Sequence, residues 1–574
     1  MNVLTINLTD YTYEIERRDD LAEWLGGTGI AVQLMKENVK KDCDPLSPEN
    51  VIVFAVGPFT LAYPYASKTV AMFKSPLTEN LGESHAGGRS AAAIASAGYR
   101  AIVIKGKSEK PIYLVIDNEK VEFKDARSLV GIRSSIILGR IIAENEGGRG
   151  RRSIMRIGFG GQRLVRFACV TTETYRHFGR LGLGAVFGSK NLLGLVVKGI
   201  KTFKPVDPMS YRKTYEEILR MAIESDAMKK YYLLGTPVNV LPLSELKALP
   251  VKNLTETELD VEDISGESLA EHSLGRRIAC SHCPTACIHI AALREEYERE
   301  RYFYKTLMIS YDYELIYALG SMIGVNKRED LLKLIHKVET YGLDAISTGV
   351  CLAWATEAYK RGLITENETL IPLEFGNAEN YLKAIDHIVY QPNDFYKSLA
   401  QGAEKASEIY GGKEFAMCFG KNEMPGYNTG YASYIGLIIG LRHSHLDNAG
   451  YSIDQKFKRL EPEELVDALV KEEWWRQVLS SLVVCFFARG IYTKDLVLKA
   501  LKPLGIEMSE EDLEELGRKI YFEKLKLKKM MGFDINKVRI PERVFEVETP
   551  HGKLSKDYFE RALNYYKENY YKKV

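Results

Sequence analysis

Eight cysteines in 574 residues are too few for a disulfide framework, and three of them fall within eight residues of one another. In a reducing compartment such bunching points to metal rather than to cross-links. Charge excess of either sign is also missing: the formal net charge is +1, so no global field favours nucleic acid or an anionic membrane. Long apolar runs are absent. The longest nearly uncharged stretch, Met424 to Leu441, is interrupted by Gly, Pro, Asn and Ser and makes a poor membrane-spanning helix. The opening MNVLTINLTDYTYEI alternates apolar and polar residues like a first strand and lacks the basic segment and apolar core of a secretion signal. The chain is therefore expected in the cytoplasm. It contains no Walker phosphate loop, no internal repeat and no low-complexity block.

What is present is an ordinary globular composition, 45% hydrophobic and 27% charged, in a chain too long for one hydrophobic core. The charged set is mainly Lys and Glu, a trend shared with heat-adapted proteins. Residues 1–205 are rich in glycine and short β runs (51–55, 69–73, 101–104, 112–116 and 195–197), which predicts an antiparallel sheet layer rather than a Rossmann unit. Gly26-Gly27-Thr28-Gly29 is a weak nucleotide signal that lacks the full fingerprint spacing. After KPVDP helical periodicity takes over, at 209–225, 327–341, 345–361, 380–388 and 394–410. A third section, 411–574, opens with a Gly/Tyr/Ser-rich loop and carries helices near 462–487, 493–503, 509–526 and 555–571. Its last residues, YYKENYYKKV, read as an exposed helical tail. The expected fold is α+β: a β-sheet base domain (1–205), a mostly α-helical domain holding the cysteine cluster (206–410), and a second helical domain (411–574).

Cys280-Ser-His-Cys283-Pro-Thr-Ala-Cys287 is a C-x2-C-x3-C run. Thiolates at this spacing can point inward from one tight turn and the start of a helix, as three corners of an iron–sulfur cubane require. The fourth ligand must come from Cys43, Cys169, Cys351, Cys418 or Cys485, and spacing alone does not choose. The rival metal is zinc, completed by His282 or His289, although structural zinc more often uses two separated ligand pairs. Two further segments resemble anion cradles. One runs from Lys74 through Gly82 and His85 to Gly87, Gly88 and Arg89; the other is Phe178-Gly179-Arg180-Leu181-Gly182-Leu183-Gly184 and on to Gly188 and Lys190. Glycine lets backbone N–H groups approach an anion, and Arg or Lys supplies charge.

Taken in order, GGTGIAVQLM, KSPLT, GESHAGGR, AGYRAIVIKGKSEKPIYL, LVRFACV, GRLGLGAVFGSKNL, CSHCPTAC, YELIYALGSMIGV, YGLDAIST and a late cysteine resemble the tungsten-containing aldehyde:ferredoxin oxidoreductases of archaea and anaerobic bacteria. The likeness is strongest in the first domain and at the cysteines and loosens after about residue 360. It implies tungsten held by two pterins, a 4Fe–4S cluster, and a β base under two helical domains with the cofactor between them. It implies Cys280, Cys283, Cys287 and Cys485 as cluster ligands, with ferredoxin or a ferredoxin-like subunit as electron acceptor. Lys68 would meet pterin phosphate. The carbonyls of His85 and Leu181 would hold a magnesium ion bridging the two phosphates, beside Gly87, Gly88, Arg89, Arg180 and Gly182. The family usually has Asn at the place of His85.

Two acidic motifs of the family grip the pterin rings. The first reads Glu339-Thr-Tyr-Gly342-Leu343-Asp344 here. The second reads Ser480-Ser-Leu-Val483-Val484-Cys485, without its acid and its glycine. Glu314 matches the family's active-site acid, His443 and His445 together cover the place of its histidine, and Tyr427 is a further pocket donor. Tyr311 and Asp312 either line the same site or cap the helix. The implied reaction is oxidation of an aldehyde by water to a carboxylate, with Glu314 as base and His443 or His445 as proton partner. Two other readings stand beside it. One is low-potential reduction of carboxylate or aromatic thioester substrates, as relatives perform. The other is a zinc-stabilised, non-redox phosphate-ligand binder, which the missing Walker motif disfavours.

Overall fold

The computed structural model describes residues 1–173, 175–297, 300–456 and 460–574. Two six-stranded sheets build the N-terminal base. The first contains β1 (Asn2–Asn7), β2 (Thr12–Arg17), β3 (Ile52–Ala55), β4 (Thr69–Lys74), β5 (Leu81–Ala86) and β6 (Ala101–Lys105), in the order β2-β1-β6-β3-β4-β5. The second contains β7 (Ile112–Asp117), β8 (Lys120–Asp125), β9 (Arg152–Ile157), β10 (Val170–Thr172), β11 (Arg176–Phe178) and β12 (Leu192–Lys198), in the order β11-β10-β9-β12-β7-β8. Only β1 with β6 and β7 with β12 run parallel, so the layer is antiparallel apart from those two pairs.

Residue alternation explains how this base carries helices. Ile52 and Phe54 of β3 face the second sheet and share a core with Leu114, Met155, Ile157 and Val196. Val53 and Ala55, one step along, point to the opposite face with Val70, Met72 and Val103. That second face is covered by the helix Gly27–Asn38 and, from the far end of the chain, by Pro462–Ser481 and Glu510–Met530. The apolar cores therefore cross the segment boundaries. Most buried apolar residues of 478–531 pack on the base sheet, whereas Tyr521, Leu525 and those of 415–441 and 554–570 join the core of the middle helices.

The GGTG segment serves this packing. A Cβ on Gly27 would lie 2.2 Å from the Ser480 carbonyl oxygen, one on Gly26 2.6 Å from the Ser481 oxygen and one on Gly29 2.3 Å from the Trp24 oxygen. The glycines let the start of one helix touch the end of another, and the Ser481 hydroxyl accepts from the Gly29 N–H.

The structure departs from the sequence-based expectations in several places. The helix expected near 462–487 stops at Ser481, short of Cys485, and the cysteine run leads into the strand Ile288–Tyr297 rather than the start of a helix. The middle section contains a sheet that periodicity did not reveal: β13 (Leu274–Ile278), β14 (Ile288–Tyr297) and β15 (Glu300–Tyr311), antiparallel throughout. Its strands carry many charged residues and so hide their alternation. The helix expected at 394–410 is two helices, Asp394–Leu399 and Ala403–Tyr410, broken at Gly402, whose φ is +106°. The C-terminal tail is docked rather than free: in Lys556–Asn569 and beyond, Tyr566 and Tyr570 are buried and the Tyr570 hydroxyl donates to Asp467 at 2.6 Å. Among the described residues no helix is long and apolar enough to cross a membrane.

Gly27→Ala is expected to destabilise the chain by about 2 kcal/mol or more, because backbone rather than a flexible side chain blocks the added methyl. A denaturant-unfolding midpoint unchanged from wild type would contradict this packing account.

Candidate active site

The cysteine run is the loop between β13 and β14, at the end of the three-stranded sheet. Cys485 arrives from the opposite direction, in the turn that ends the helix Pro462–Ser481. One base-domain residue holds both. The Tyr65 N–H donates to the His282 carbonyl and the Tyr65 carbonyl accepts from the Cys485 N–H, each at 3.0 Å. Its phenol contacts the Thr285 hydroxyl at 2.6 Å. Tyr65, His282, Ala286 and Val483 all have φ between +50° and +65°, a cluster of left-handed residues at one site. Val483 stands where the family has glycine and keeps the glycine-like backbone despite its branched side chain.

Burial pushes the Cys283 and Cys287 thiols up to about 12, and the neighbouring cysteines add to the effect. Cys280 and Cys485 lie within electrostatic reach of both, and thiols gathered in this way suit a cationic metal group, which takes them as thiolates. A Cβ on Gly87 would come within 2.7 Å of the Cys280 sulfur and 3.5 Å of Lys68 Nζ, so the first glycine loop and Lys68 border the cysteines directly. Both nitrogens of His289 face backbone carbonyls, of Cys287, Tyr232 and Leu233, and His282 Nδ1 contacts the Ser281 hydroxyl. His289 therefore turns no free ring nitrogen to the sulfurs.

The second glycine loop divides its work. Gly182 and Gly188 would each place a Cβ 2.0 Å from a carbonyl oxygen, of Arg166 and Gly161, so these glycines serve close packing. The Leu181 carbonyl accepts from the Ser75 hydroxyl at 2.7 Å. Arg180 is the charged member. Its Nε donates to Asp344 at 3.1 Å and its Nη2 to the Glu423 carbonyl at 2.8 Å, while Nη1 is buried without a partner. Nearby Arg176 also has an unpartnered buried Nε, and Cys280, Cys287, Asp312 and Glu339 surround it. Orphaned guanidinium donors beside a Gly-lined wall fit an anionic group such as a phosphate. Asp344 caps the helix Ala345–Lys360 and accepts from the Ser347 hydroxyl. Glu339 is held by Ser310 at 2.8 Å, and burial pushes it up to about 8. Gly342 has φ +68° and Leu343 bridges to Ala168, which pins the ETYGLD turn to the base. Ser480 and Val484 are buried at the Cys485 turn, and Arg89 is exposed next to Gly88, whose carbonyl accepts from the Ser281 N–H.

Glu314 opens the helix Tyr313–Leu319, which Asp312 caps. Its Oε2 accepts from the Gly426 N–H at 3.1 Å, and its Oε1 lies 3.4 Å from His445 Nε2. Burial pushes Glu314 up to about 8, and burial together with Arg180 drives His445 down to about 3. At neutral pH the pair is thus an uncharged acid beside an uncharged imidazole, and His445 Nδ1 has no partner. Tyr427 lies beside them, 5.2 Å from both the Tyr313 and His445 rings and stacked on Tyr451 at 4.4 Å. The buried Tyr311 hydroxyl has no partner.

His443 is differently employed. Its Nδ1 donates to the Leu437 carbonyl and its Nε2 meets Lys528 Nζ, both at 2.8 Å, so neither nitrogen is free. His85 is half-buried and turns to Glu83 at 2.6 Å, and Glu83 pairs with the buried Lys524 at 2.5 Å and accepts from Thr28. Burial opposes ionisation of Glu83, but Lys524 and His85 hold its carboxyl well below the usual range. Sequence reasoning passed over Tyr65, Arg176 and the Glu83–Lys524 pair. Glu83 shares a strand face with His85 at a spacing of two residues, which was the available signal.

A sheet base under helices carries four gathered cysteines and a largely buried acid–imidazole pair. Residues 3–199 match the family model for the aldehyde ferredoxin oxidoreductase N-terminal domain, and residues 213–574 match that for domains 2 and 3. The chain belongs to the aldehyde ferredoxin oxidoreductase family. It is 31% identical to the tungsten-containing aldehyde ferredoxin oxidoreductase of Pyrococcus furiosus, over 96% of this chain and 92% of the relative. It is 29% identical, over 71% of this chain and 68% of the relative, to an aliphatic sulfonate oxidoreductase WOR-like subunit of the same organism. In fold it is similar to the active-site complex BamBC of benzoyl coenzyme A reductase, with a TM-score of 0.84 at 22% identity, covering 99% of this chain and 94% of that one.

Glu314 is an acid whose folded pKa of about 8 lies above its unfolded value, so it lowers stability progressively as pH rises from about 4.5 through 8. Glu314→Gln is therefore expected to match wild type near pH 4 and to melt several degrees higher above pH 8. Parallel melting curves across that range would contradict the buried, proton-holding Glu314.

Proposed function

We propose that this chain oxidises aldehydes to carboxylic acids, with tungsten held by two pterins as the reaction centre and a 4Fe–4S cluster on Cys280, Cys283, Cys287 and Cys485 as the electron exit. The observation that carries the reading is the buried Glu314–His445 pair in a fold that also gathers four thiols. Lys68, Arg176 and Arg180 would hold pterin phosphates. The His85 and Leu181 carbonyls would hold magnesium; Leu181 retains a second lone pair beyond its bond to Ser75. Glu339, Asp344, Ser480 and Val484 would flank the pterin rings. When bound, the tungsten–pterin group supplies the two-electron acceptor.

The protein side of the reaction is proton management. Aldehyde and water give carboxylate, two electrons and three protons. In its ionised form, the minor one at neutral pH, Glu314 takes a proton from water, and the His445 imidazole beside it passes that proton on. Tyr427, Tyr313 and Tyr451 keep bulk water away, which preserves the shifted acidity of the pair. Ferredoxin or a ferredoxin-like subunit would receive the electrons.

Aldehyde-dependent reduction of a viologen dye by the anaerobically purified protein tests this reading. Activity is expected to rise with pH through about 8, where Glu314 ionises. Glu314→Gln is expected to cut turnover by about a hundredfold or more while metal content stays unchanged. Dye reduction that required an aromatic thioester couple instead, or full activity in the Gln variant, would overturn it.

A further inference from the structure

The loop that carries the cysteines lies at the surface, and the residues around it are unevenly charged. His282 and Pro284 are exposed, and Cys280, Cys283 and Cys287 are half-buried. Packed directly on the loop is the short helix Asp226–Leu233, whose Met228 is buried against Thr285. Its last two residues leave large apolar side chains in solvent, Tyr232 at 47% and Leu233 at 55% exposure. Basic residues surround that apolar centre. Lys229 and Lys230 lie on the helix. Arg277 stacks over Tyr232 at 4.9 Å and donates to the Leu233 carbonyl. Arg489 lies within electrostatic reach of Tyr231, and Arg89 is carried alongside by the bond from the Ser281 N–H to the Gly88 carbonyl at 2.9 Å. The acids on this helix amount to Asp226, which already pairs with Lys229 at 3.2 Å. On a chain of net charge +1, such a concentration of positive charge is local.

We propose that this surface docks an acidic redox protein, with Tyr232 and Leu233 as the dry centre of the contact and Lys229, Lys230, Arg277, Arg489 and Arg89 as its positive rim. The proposal rests on the reading that the four cysteines hold an electron-exporting cluster. A small apolar centre with a charged rim is the arrangement of a transient encounter, and a positive rim steers an acidic partner and excludes basic ones. Docking there puts the partner's redox centre against the loop of Cys280 to Cys287, the shortest route out for electrons.

The test measures binding and turnover separately on the full holoprotein. A purified acidic ferredoxin is titrated against wild type and the K229E/K230E variant at rising salt, and viologen-linked aldehyde oxidation is assayed in parallel. The expected result is a Kd about tenfold weaker in the variant and weakening with salt in wild type, with viologen turnover unchanged. The same reversal at Lys383 and Lys405, exposed on middle-domain helices, leaves the Kd unchanged. Equal binding by both double variants and wild type, or salt-independent binding, would overturn the docking surface. Missing viologen activity with the expected binding pattern would instead count against the aldehyde reaction and leave the surface standing.

Discussion

Two backbone hydrogen bonds to Tyr65 bring the four cysteines together. Through them the base sheet holds Cys485 and the loop of Cys280, Cys283 and Cys287, although these parts lie some two hundred residues apart. The strand face bearing Val53 and Val70 receives helices from the chain's far end, and the glycines of GGTG let those helices come close enough for the Cys485 turn to reach Tyr65. The left-handed residues Tyr65, His282, Ala286 and Val483 mark where the chain is bent to achieve this. Strain of that kind, about 1–3 kcal/mol at each such residue, persists only where the surroundings over-determine it.

The same region concentrates buried charge. Glu83, Lys524, Asp447, Arg442 and Glu473 are all inside, and most are paired. Such pairs add little net stability over apolar packing but make the wrong arrangement expensive, since removing one partner leaves a charge in low dielectric. Around the site the balance is deliberately incomplete. Arg176 and Arg180 keep unpartnered nitrogens, and Glu314, Glu339 and His445 are held uncharged at neutral pH. A surface that leaves cationic donors open and carboxyls protonated suits an anionic cofactor beside proton chemistry.

Much of this could be read from residues alone. The β-rich base and the helices after KPVDP follow from periodicity, and the C-x2-C-x3-C spacing points to a cluster before any fold is known. The fourth cysteine came only from family likeness, because nothing local in Ser480 to Cys485 says that it meets a loop two hundred residues earlier. The β13–β15 sheet stayed hidden because charged residues such as Arg276, Glu295 and Lys305 mask the strand pattern. The two histidines, two positions apart, could be separated only in three dimensions, where Lys528 and Leu437 occupy His443 while His445 faces Glu314. The glycine loops looked like uniform anion cradles, yet Gly182 and Gly188 serve backbone packing and leave Arg180 as the charged element. Val483 in place of glycine signals nothing by type, and only its φ of +59° shows that the turn survives the substitution.

The central claim is that Cys280, Cys283, Cys287 and Cys485 hold an iron–sulfur cluster beside a tungsten centre. Elemental analysis of the anaerobically purified protein tests it most directly. The account predicts about four iron and one tungsten per chain, with the iron lost when Cys485 is replaced by alanine. Zinc in place of iron, with no tungsten, would contradict it.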